Sequence, residues 1–258
     1  MRHLYLSPHL DDAVLSCGGA IHQYAASGAR VEVLTLFAGE FTGHEISPFA
    51  LLQHQYWGNP PRPMLLRRTE DSAALALLGA EAQHLDYLDA VYRAGPDGSW
   101  LYPQEEALWE GVHPADPVAQ HGAQALAEKL VALLPARDRA IIYAPLAAGC
   151  HVDHQIVHAA ARNLLSQGYR VTFYEDYPYA ERPGATESAG GTEVWRVEVI
   201  PLSPAALAAK VSALGYYHTQ MAVLFGGAAA MPNRIWAFAA SRSQQTPLAE
   251  KLWWPAEA

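Results

Sequence analysis

The chain has 258 residues, 51% of them apolar and 17% charged, which suffices for one large α/β domain with a substantial core and requires no second one. Its 17 Lys and Arg against 26 Asp and Glu give a formal net charge of −9, and an acidic chain with no basic run is a poor partner for phosphate backbones, so nucleic acid is not expected. Two cysteines, Cys17 and Cys150, make no secreted disulfide framework, and no uncharged run is long enough to span a bilayer.

His3 to Ser7 reads as a short buried strand, but the charged group at His9, Asp11 and Asp12 interrupts it in a way that no signal peptide would, and a cytoplasmic protein is expected. Asp12 to Ser27 reads as a helix, with Val14, Leu15, Ile21 and Tyr24 near helical spacing and Gly28 closing it. Val31 to Phe37 (VEVLTLF) is a second strand, so the chain opens with a βαβ unit and a right-handed crossover. Residues 38–66 form a long loop with Phe41, His44, Phe49, His54, Tyr56 and Trp57, of a length that suits a substrate loop. Helix resumes over Arg67 to Leu78, stopped by Gly79, and a strand follows around Gln83 to Tyr87. A second irregular region, 88–117, carries Trp100, Tyr102, Trp109 and His113. Pro117 to Leu134 is an amphipathic helix ended by Pro135, Arg139 to Ala144 a buried strand, Pro145 to Gly149 a tight loop, His154 to Ser166 a helix and Tyr169 to Tyr174 a strand. Beyond these, a strand at Glu193 to Ile200, a helix from Ser203 to about Leu214 and a short strand at Arg234 to Ala239 are expected. The alternation predicts a mostly parallel, Rossmann-like sheet with helices on both faces and long loops over the carboxyl ends of the strands. There is no GxGxxG, so a dinucleotide is not implied.

Two clusters carry the chemistry. Ser7-Pro8-His9-Leu10-Asp11-Asp12 lies where the first strand gives way to the first helix, and Gly149-Cys150-His151-Val152-Asp153-His154 lies in the same position after a later strand. Ligands in open parallel sheets bind beyond the carboxyl ends of strands, so both clusters reach one mouth if the two strands are neighbours. His9 and Asp12, three apart across a turn, can face one point, and His154 would supply a third ligand; two histidines and a carboxylate suit Zn²⁺, with Fe²⁺ or another divalent metal also compatible. Such a metal activates water and polarises a carbonyl. Asp11 is then placed to take a proton as general base, and His151 to stabilise an oxyanion or protonate a leaving amine.

SPHLDDAVLSCGG followed much later by HVDH resembles the LmbE-like, or PIG-L, N-deacetylase family, whose motifs are A-H-P-D-D-E and H-x-x-H on a Rossmann-like fold. The resemblance implies His9, Asp12 and His154 as metal ligands, Asp11 as base and His151 as the electrophilic or acid histidine. Leu10 stands where the motif has Pro and Ala13 where it has Glu; neither position is a ligand in the family scheme. Arg67-Arg68-Thr69-Glu70-Asp71 and Tyr174-Glu175-Asp176-Tyr177-Pro178-Tyr179 are also similar to family segments, and the likeness covers roughly residues 1 to 180. It implies one deacetylase domain over 1–258, acting on a small N-acylated sugar conjugate, with a homo-oligomer left open.

Blander accounts stand beside these. Asp11 or Asp12 would serve as a helix N-cap. Asp153 suits a cap or an orienting partner for a ligand histidine. Cys17 and Cys150 read as small buried hydrophobes. Arg68 is a candidate substrate contact or an ordinary surface pair with Glu70; His113, beside Pro114, is a candidate pocket residue among otherwise surface histidines. Trp57, Trp100, Tyr102 and Trp109 would either stack on a sugar or pack the loops. Hydrolysis of another amide or an ester at the same metal, and a non-catalytic metal- and ligand-binding protein, are the alternative functions.

Overall fold

The computed structural model describes residues 1–120, 122–134 and 136–256. Apolar alternation along the strands builds a sheet buried on both faces. Leu4 and Leu6 of β1 (Arg2–Ser7), Leu34 of β2 (Arg30–Thr35), Ile142 and Ala144 of β4 (Ala140–Pro145) and Phe173 of β5 (Val171–Tyr174) pack into one core cluster. Their neighbours Tyr5, Val31, Val33, Tyr143 and Tyr174 enter the cluster on the opposite face. Period-two alternation with both sides apolar is what a central strand between helical layers requires, and each such burial contributes about 1.5–3 kcal/mol.

With β3 (Glu81–His84), β6 (Trp195–Pro201) and β7 (Ala249–Pro255), the sheet order is β3-β2-β1-β4-β5-β7-β6. The first five strands are parallel; β7 runs antiparallel to both β5 and β6. β1 and β4 are hydrogen-bonded neighbours, with Tyr5 opposite Tyr143, so the expected condition for bringing the two clusters together holds. The chain leaves β1 toward β2 on one side and returns to β4 on the other, which opens a crevice at their carboxyl ends.

The helices are α1 (Asp12–Ala26), α2 (Pro48–Tyr56), α3 (Pro63–Leu78), α4 (Pro117–Gln120), α5 (Gly122–Val131), α6 (Val152–Ser166), α7 (Ala185–Gly190), α8 (Pro204–Leu214), α9 (His218–Phe225) and α10 (Met231–Ser241). Several depart from expectation. The first long loop contains α2, started by the Ser47 hydroxyl accepting from Ala50 N–H and by Pro48 at the first turn. α3 begins one turn earlier than expected, also at a proline. The expected strand at Arg234 to Ala239 is part of α10: its alternating R-I-W-A-F-A fits period two over six residues, but Met231, Ile235 and Phe238 are the buried set, at helical spacing. α9 and β7 were not foreseen. The expected helix end at Pro135 lies outside the described residues.

The C-terminal elements are tied to α1. The Glu250 carboxylate on β7 accepts from the backbone N–H groups of Gly19 (3.1 Å) and Ala20 (2.9 Å) and pairs with Lys210 Nζ of α8 at 2.7 Å. A Cβ on Gly19 would lie 2.6 Å from Leu202 Cδ1, so glycine is what lets this segment approach the helix. Cys17 is buried, Cys150 exposed, and neither is paired. Among the described residues no helix is long and apolar enough to cross a membrane.

Candidate metal centre and active-site pocket

The β1–α1 turn is shaped by its own hydrogen bonds. Ser7 Oγ donates to His9 O (2.7 Å) and accepts from Ala13 N–H (3.1 Å), while Asp12 Oδ2 accepts from His9 N–H at 2.8 Å. Asp11 occupies the N-cap position of α1, yet its side chain caps nothing and its φ of 153° is a strained value for a residue with a Cβ. Its carboxylate turns instead toward Arg67, whose Nη2 lies 3.8 Å from Asp11 Oδ2. The β4–α6 turn is similarly forced, with Ala147, Gly149 and Cys150 all in the left-handed region. A Cβ on Gly149 would meet the Tyr179 side chain at 2.7 Å, so this turn and a pocket wall are fitted to each other.

His9, Asp12 and His154 meet beneath the crevice. Asp12 Oδ2 is 3.2 Å from His9 Nδ1 and 3.2 Å from His154 Nε2. The far nitrogen of each ring faces a second carboxylate: His9 Nε2 is 2.9 Å from Asp153 Oδ2, and His154 Nδ1 is 2.5 Å from Asp176 Oδ1. An ionised carboxylate only accepts, so each far nitrogen carries a proton; the near nitrogens, facing Asp12, hold a second proton in the metal-free protein, the one a metal would displace to take the lone pair. His154 Nε2 is fully buried and has no hydrogen-bond partner. Two ring nitrogens brought to one carboxylate oxygen call for a cation among them, proton or metal, and the 3.2 Å nitrogen–oxygen separations match the edge of about 3.3 Å expected between ligands of tetrahedral zinc. The donor set therefore fits a divalent metal.

His151 is also within reach of His9 and His154. As N-cap of α6, however, its Nδ1 accepts from Asp153 N–H at 3.2 Å, which leaves the proton of the neutral ring on Nε2. In that state His151 presents an N–H donor to the pocket. A second acidic grouping of His9, Asp89 and Asp153 is accounted for without a metal, because Asp153 already accepts from His9, Ala90 N–H and the buried Arg93.

Charge follows this arrangement. Burial would lower both His9 and His154, but Asp89, Asp12 and Asp153 hold His9 well above its usual value, and Asp12 and Asp176 hold His154 up to about 9. Burial would raise Asp12, but His154 and His9 keep it well below the carboxylate range. Burial and the Asp12 charge push Asp11 up to about 8, against Arg67 and His9. Burial and His9 drive His151 well below its usual value, so its ring is neutral.

Above the cluster opens a cavity of about 490 Å³, with His9, Asp11, Asp12 and His151 at its floor. Trp57 and Arg67 form one wall, Trp109 and Tyr179 another, and Gln220 to Leu224 of α9 close the side. The expected aromatics divide. Trp57 and Trp109 line the cavity, Trp109 edge-on to His151 at 5.1 Å. Tyr102 is buried against Asp116, and Trp100 packs on Phe41.

The two expected substrate contacts, Arg68 and His113, lie outside the cavity lining. Arg68 is spent on Ala38 O (2.7 Å), Leu85 O (3.2 Å) and Asp86 Oδ1 (2.6 Å), strapping α3 to the ends of the strands. Its neighbour Arg67 is the pocket residue: the guanidinium lies over Trp57 at 4.8 Å, and Gln220, with its amide oriented to suit, accepts from Arg67 Nε at 3.2 Å. The phase of α3 distinguishes the two, since Met64, Arg67, Asp71, Ala74 and Leu78 form the buried stripe and Arg68 falls outside it. His113 is exposed, with Nδ1 accepting from Ala115 N–H, and does not line the cavity. Asp176, Arg93, Asp89 and Gln220 carried no assigned role in the sequence reading; each depends on long-range packing.

A model of the PIG-L family, the GlcNAc-PI de-N-acetylases, matches residues 4–165. The chain belongs to the PIG-L family. It is thereby an N-deacetylase, as the paired motifs led one to expect. The 2'-N-acetylparomamine deacetylase of Niallia circulans is 29% identical over 242 residues, spanning 86% of this chain and 82% of that protein. The structure of teicoplanin deacetylase Orf2 in its zinc-inhibited form superposes with a TM-score of 0.84 at 32% identity, covering 98% of this chain and 97% of that one. The A40926 pseudoaglycone deacetylase Dbv21 follows at 0.75 and 28%, covering 98% and 96%.

Proposed function

We propose that this PIG-L enzyme hydrolyses the N-acyl group, acetyl first among candidates, of an amino sugar carried in a larger conjugate, with His9, Asp12 and His154 as ligands of a divalent metal, zinc by preference. The observation that carries the reading is the convergence of His9 Nδ1 and the orphaned His154 Nε2 on one Asp12 oxygen, with Asp11 alongside at the cavity floor. When bound, the metal supplies Lewis-acid polarisation of the amide carbonyl and a lowered pKa for the attacking water. Asp11 takes the proton that the water gives up as its oxygen bonds to the amide carbon. His151 donates from Nε2 to the carbonyl oxygen as charge builds there. The C–N bond then breaks, the proton passes from Asp11 to the leaving amine, and the acid and the free amine remain. Arg67, fixed by Trp57 and Gln220, holds Asp11 from the side and offers its remaining N–H donors to a substrate oxygen.

The paromamine and teicoplanin enzymes support a sugar conjugate as the substrate class. So does the cavity rim, where Leu52, Tyr56 and Val223 stand 40%, 51% and 42% exposed beside a polar floor, suited to the part of a conjugate beyond its sugar. The chain works as one unit over 1–258, because α9 walls the cavity and β7 completes the sheet; two unpaired cysteines suit the cytoplasm. The test is turnover of a panel of N-acetylated sugars and glycoconjugates with zinc, read as free amine, beside His154→Ala. Amine release that vanishes in the variant together with its zinc supports the reading. A wild type that takes up no zinc, or a variant that keeps both zinc and turnover, overturns it.

A further inference from the structure

The irregular region 88–117 contains a buried cation with no part in the reaction as derived. Arg93 is 2% exposed, and its guanidinium lies between the rings of Phe37 (5.0 Å) and Tyr102 (5.3 Å). Nη2 donates to Asp153 Oδ1, and Nε lies 3.1 Å from Asp116 Oδ2, a charge contact that is not aligned as a hydrogen bond. Asp116 in turn accepts from the Tyr102 hydroxyl at 2.8 Å and from Val118 N–H at 2.9 Å. On the other side, Asp153 Oδ2 accepts from His9 Nε2 at 2.9 Å and from Ala90 N–H at 3.1 Å. A continuous path thus runs from Tyr102 and Asp116 through Arg93 and Asp153 to the back of His9. Asp153 and Asp116 are both fully buried, and Arg93 is the cation in contact with both.

We propose that Arg93 is a positioning residue for the His9 side of the metal centre, acting through Asp153, and that it links metal binding to the order of residues 88–117. The inference rests on the reading of His9 as a ligand. A carboxylate behind a ligand histidine fixes its tautomer and ring plane. Here that carboxylate is held by the planar fork of an arginine, which a lysine does not reproduce. Because Arg93 and Ala90 both belong to the irregular region, a metal that fixes His9 fixes Asp153 and, through it, the chain around 90–93. The same region supplies Asp89, Val91 and Trp109 to the cavity, so its order reaches the substrate as well.

The experiment measures zinc affinity by competition with a chromophoric chelator for the wild type, Arg93→Lys, Asp153→Asn and the double variant, with apoprotein melting temperature and kcat/KM recorded in parallel. Arg93→Lys is expected to weaken zinc binding by about 10–100-fold, and the double variant to be no weaker than Asp153→Asn alone, as befits two residues acting in series. A purely structural arginine would lower the melting temperature and leave zinc affinity at the wild-type value, and that result overturns the proposal. Hydrogen exchange on the wild type decides the matter without any variant. Zinc should slow exchange at the amides of Ala90 to Arg93 more than across residues 38–47. Equal protection of the two segments by zinc that is demonstrably bound overturns the linkage. A wild type that takes up no zinc at all fails at the earlier step, the metal reading itself.

Discussion

The two histidines proposed as ligands, His9 and His154, are framed by different kinds of structure. His154 stands in the first turn of α6 and is backed by Asp176, two residues beyond β5, whose second oxygen accepts from Ala148 N–H in the turn after β4. Everything on that side belongs to neighbouring strands and the turns that leave them. His9 is backed by Asp153, whose other partners, Arg93 and Ala90, lie in an irregular region with only short 3₁₀ turns. One half of the centre is framed by the sheet, and the other by a loop that also lines the cavity.

Asp11 belongs to neither frame, and its removal should have the largest catalytic effect. Asp11→Asn keeps shape and both frames, so zinc content is expected to stay at the wild-type level while kcat falls by about 10²–10⁴-fold. Zinc loss in step with activity would make Asp11 a ligand and break the division drawn above. The two backing carboxylates test that division directly. Asp153→Asn leaves Arg93 with one counter-charge fewer in a buried site and should cost about 3–5 kcal/mol of apoprotein stability, along with zinc affinity. Asp176→Asn takes one counter-charge from the buried His154 ring, but an imidazole can shed its proton where a guanidinium cannot, so it is expected to weaken zinc by about 10–100-fold with a smaller drop in melting temperature. Equal losses of stability, measured by denaturant melts of the two apoproteins, would mean that both halves are framed alike.

pH should separate the metal-bound and metal-free proteins. In the apoprotein, His154 is held up to about 9, above its unfolded value, so the stability it contributes is complete below about 6.5 and lost as pH rises toward 9. Asp11, raised to about 8, acts with the same sign. Zinc competes with the His154 proton, and its apparent affinity should rise by about tenfold per pH unit for each proton displaced over this window. The gap between the apo and zinc-bound melting temperatures is therefore expected to widen from pH 6.5 to 9. A constant gap would mean that the metal displaces no proton and does not sit on His154.

Much of this was legible in the residues themselves. The strand–helix turns at Ser7 to Asp12 and Gly149 to His154 announce a site because adjacent parallel strands deliver their carboxyl ends to one place, and β1 and β4 are adjacent. The backing groups were less legible. Asp153 sits between His151 and His154, so an orienting role could be read from sequence, but the histidine its carboxylate meets is His9, 144 positions away, and Asp176 and Arg93 likewise meet their partners only through folding, across 22 and 60 positions. Helix α9 escaped notice because its capping partner is remote: Glu70 accepts from the backbone and hydroxyl of Thr219 at 3.1 and 2.6 Å. β7 carries Glu250 and Lys251 amid its apolar residues, and the partner that buries Glu250 is Lys210, forty residues away.

Arg67 and Arg68 give the smallest and most local contrast, one peptide bond apart, Arg67 within the stripe that α3 buries and Arg68 outside it. Arg67→Met removes a guanidinium from the cavity wall beside Asp11 and should lower kcat/KM by about 10–100-fold, the range for a lost charge-assisted hydrogen bond. Arg68→Met removes hydrogen bonds to Ala38 O, Leu85 O and Asp86, and should cost only about 1–2 kcal/mol of stability. Its kcat/KM should stay within about twofold of the wild type, since none of its partners faces the cavity floor. Steady-state kinetics and melts of the two variants decide between side-chain identity and helical phase as the guide to function. Were Arg68→Met the variant that loses turnover, the strap it forms across the strand ends would have to shape the cavity through the chain at Ala38, and the buried stripe would be a poor guide to which arginine meets the substrate.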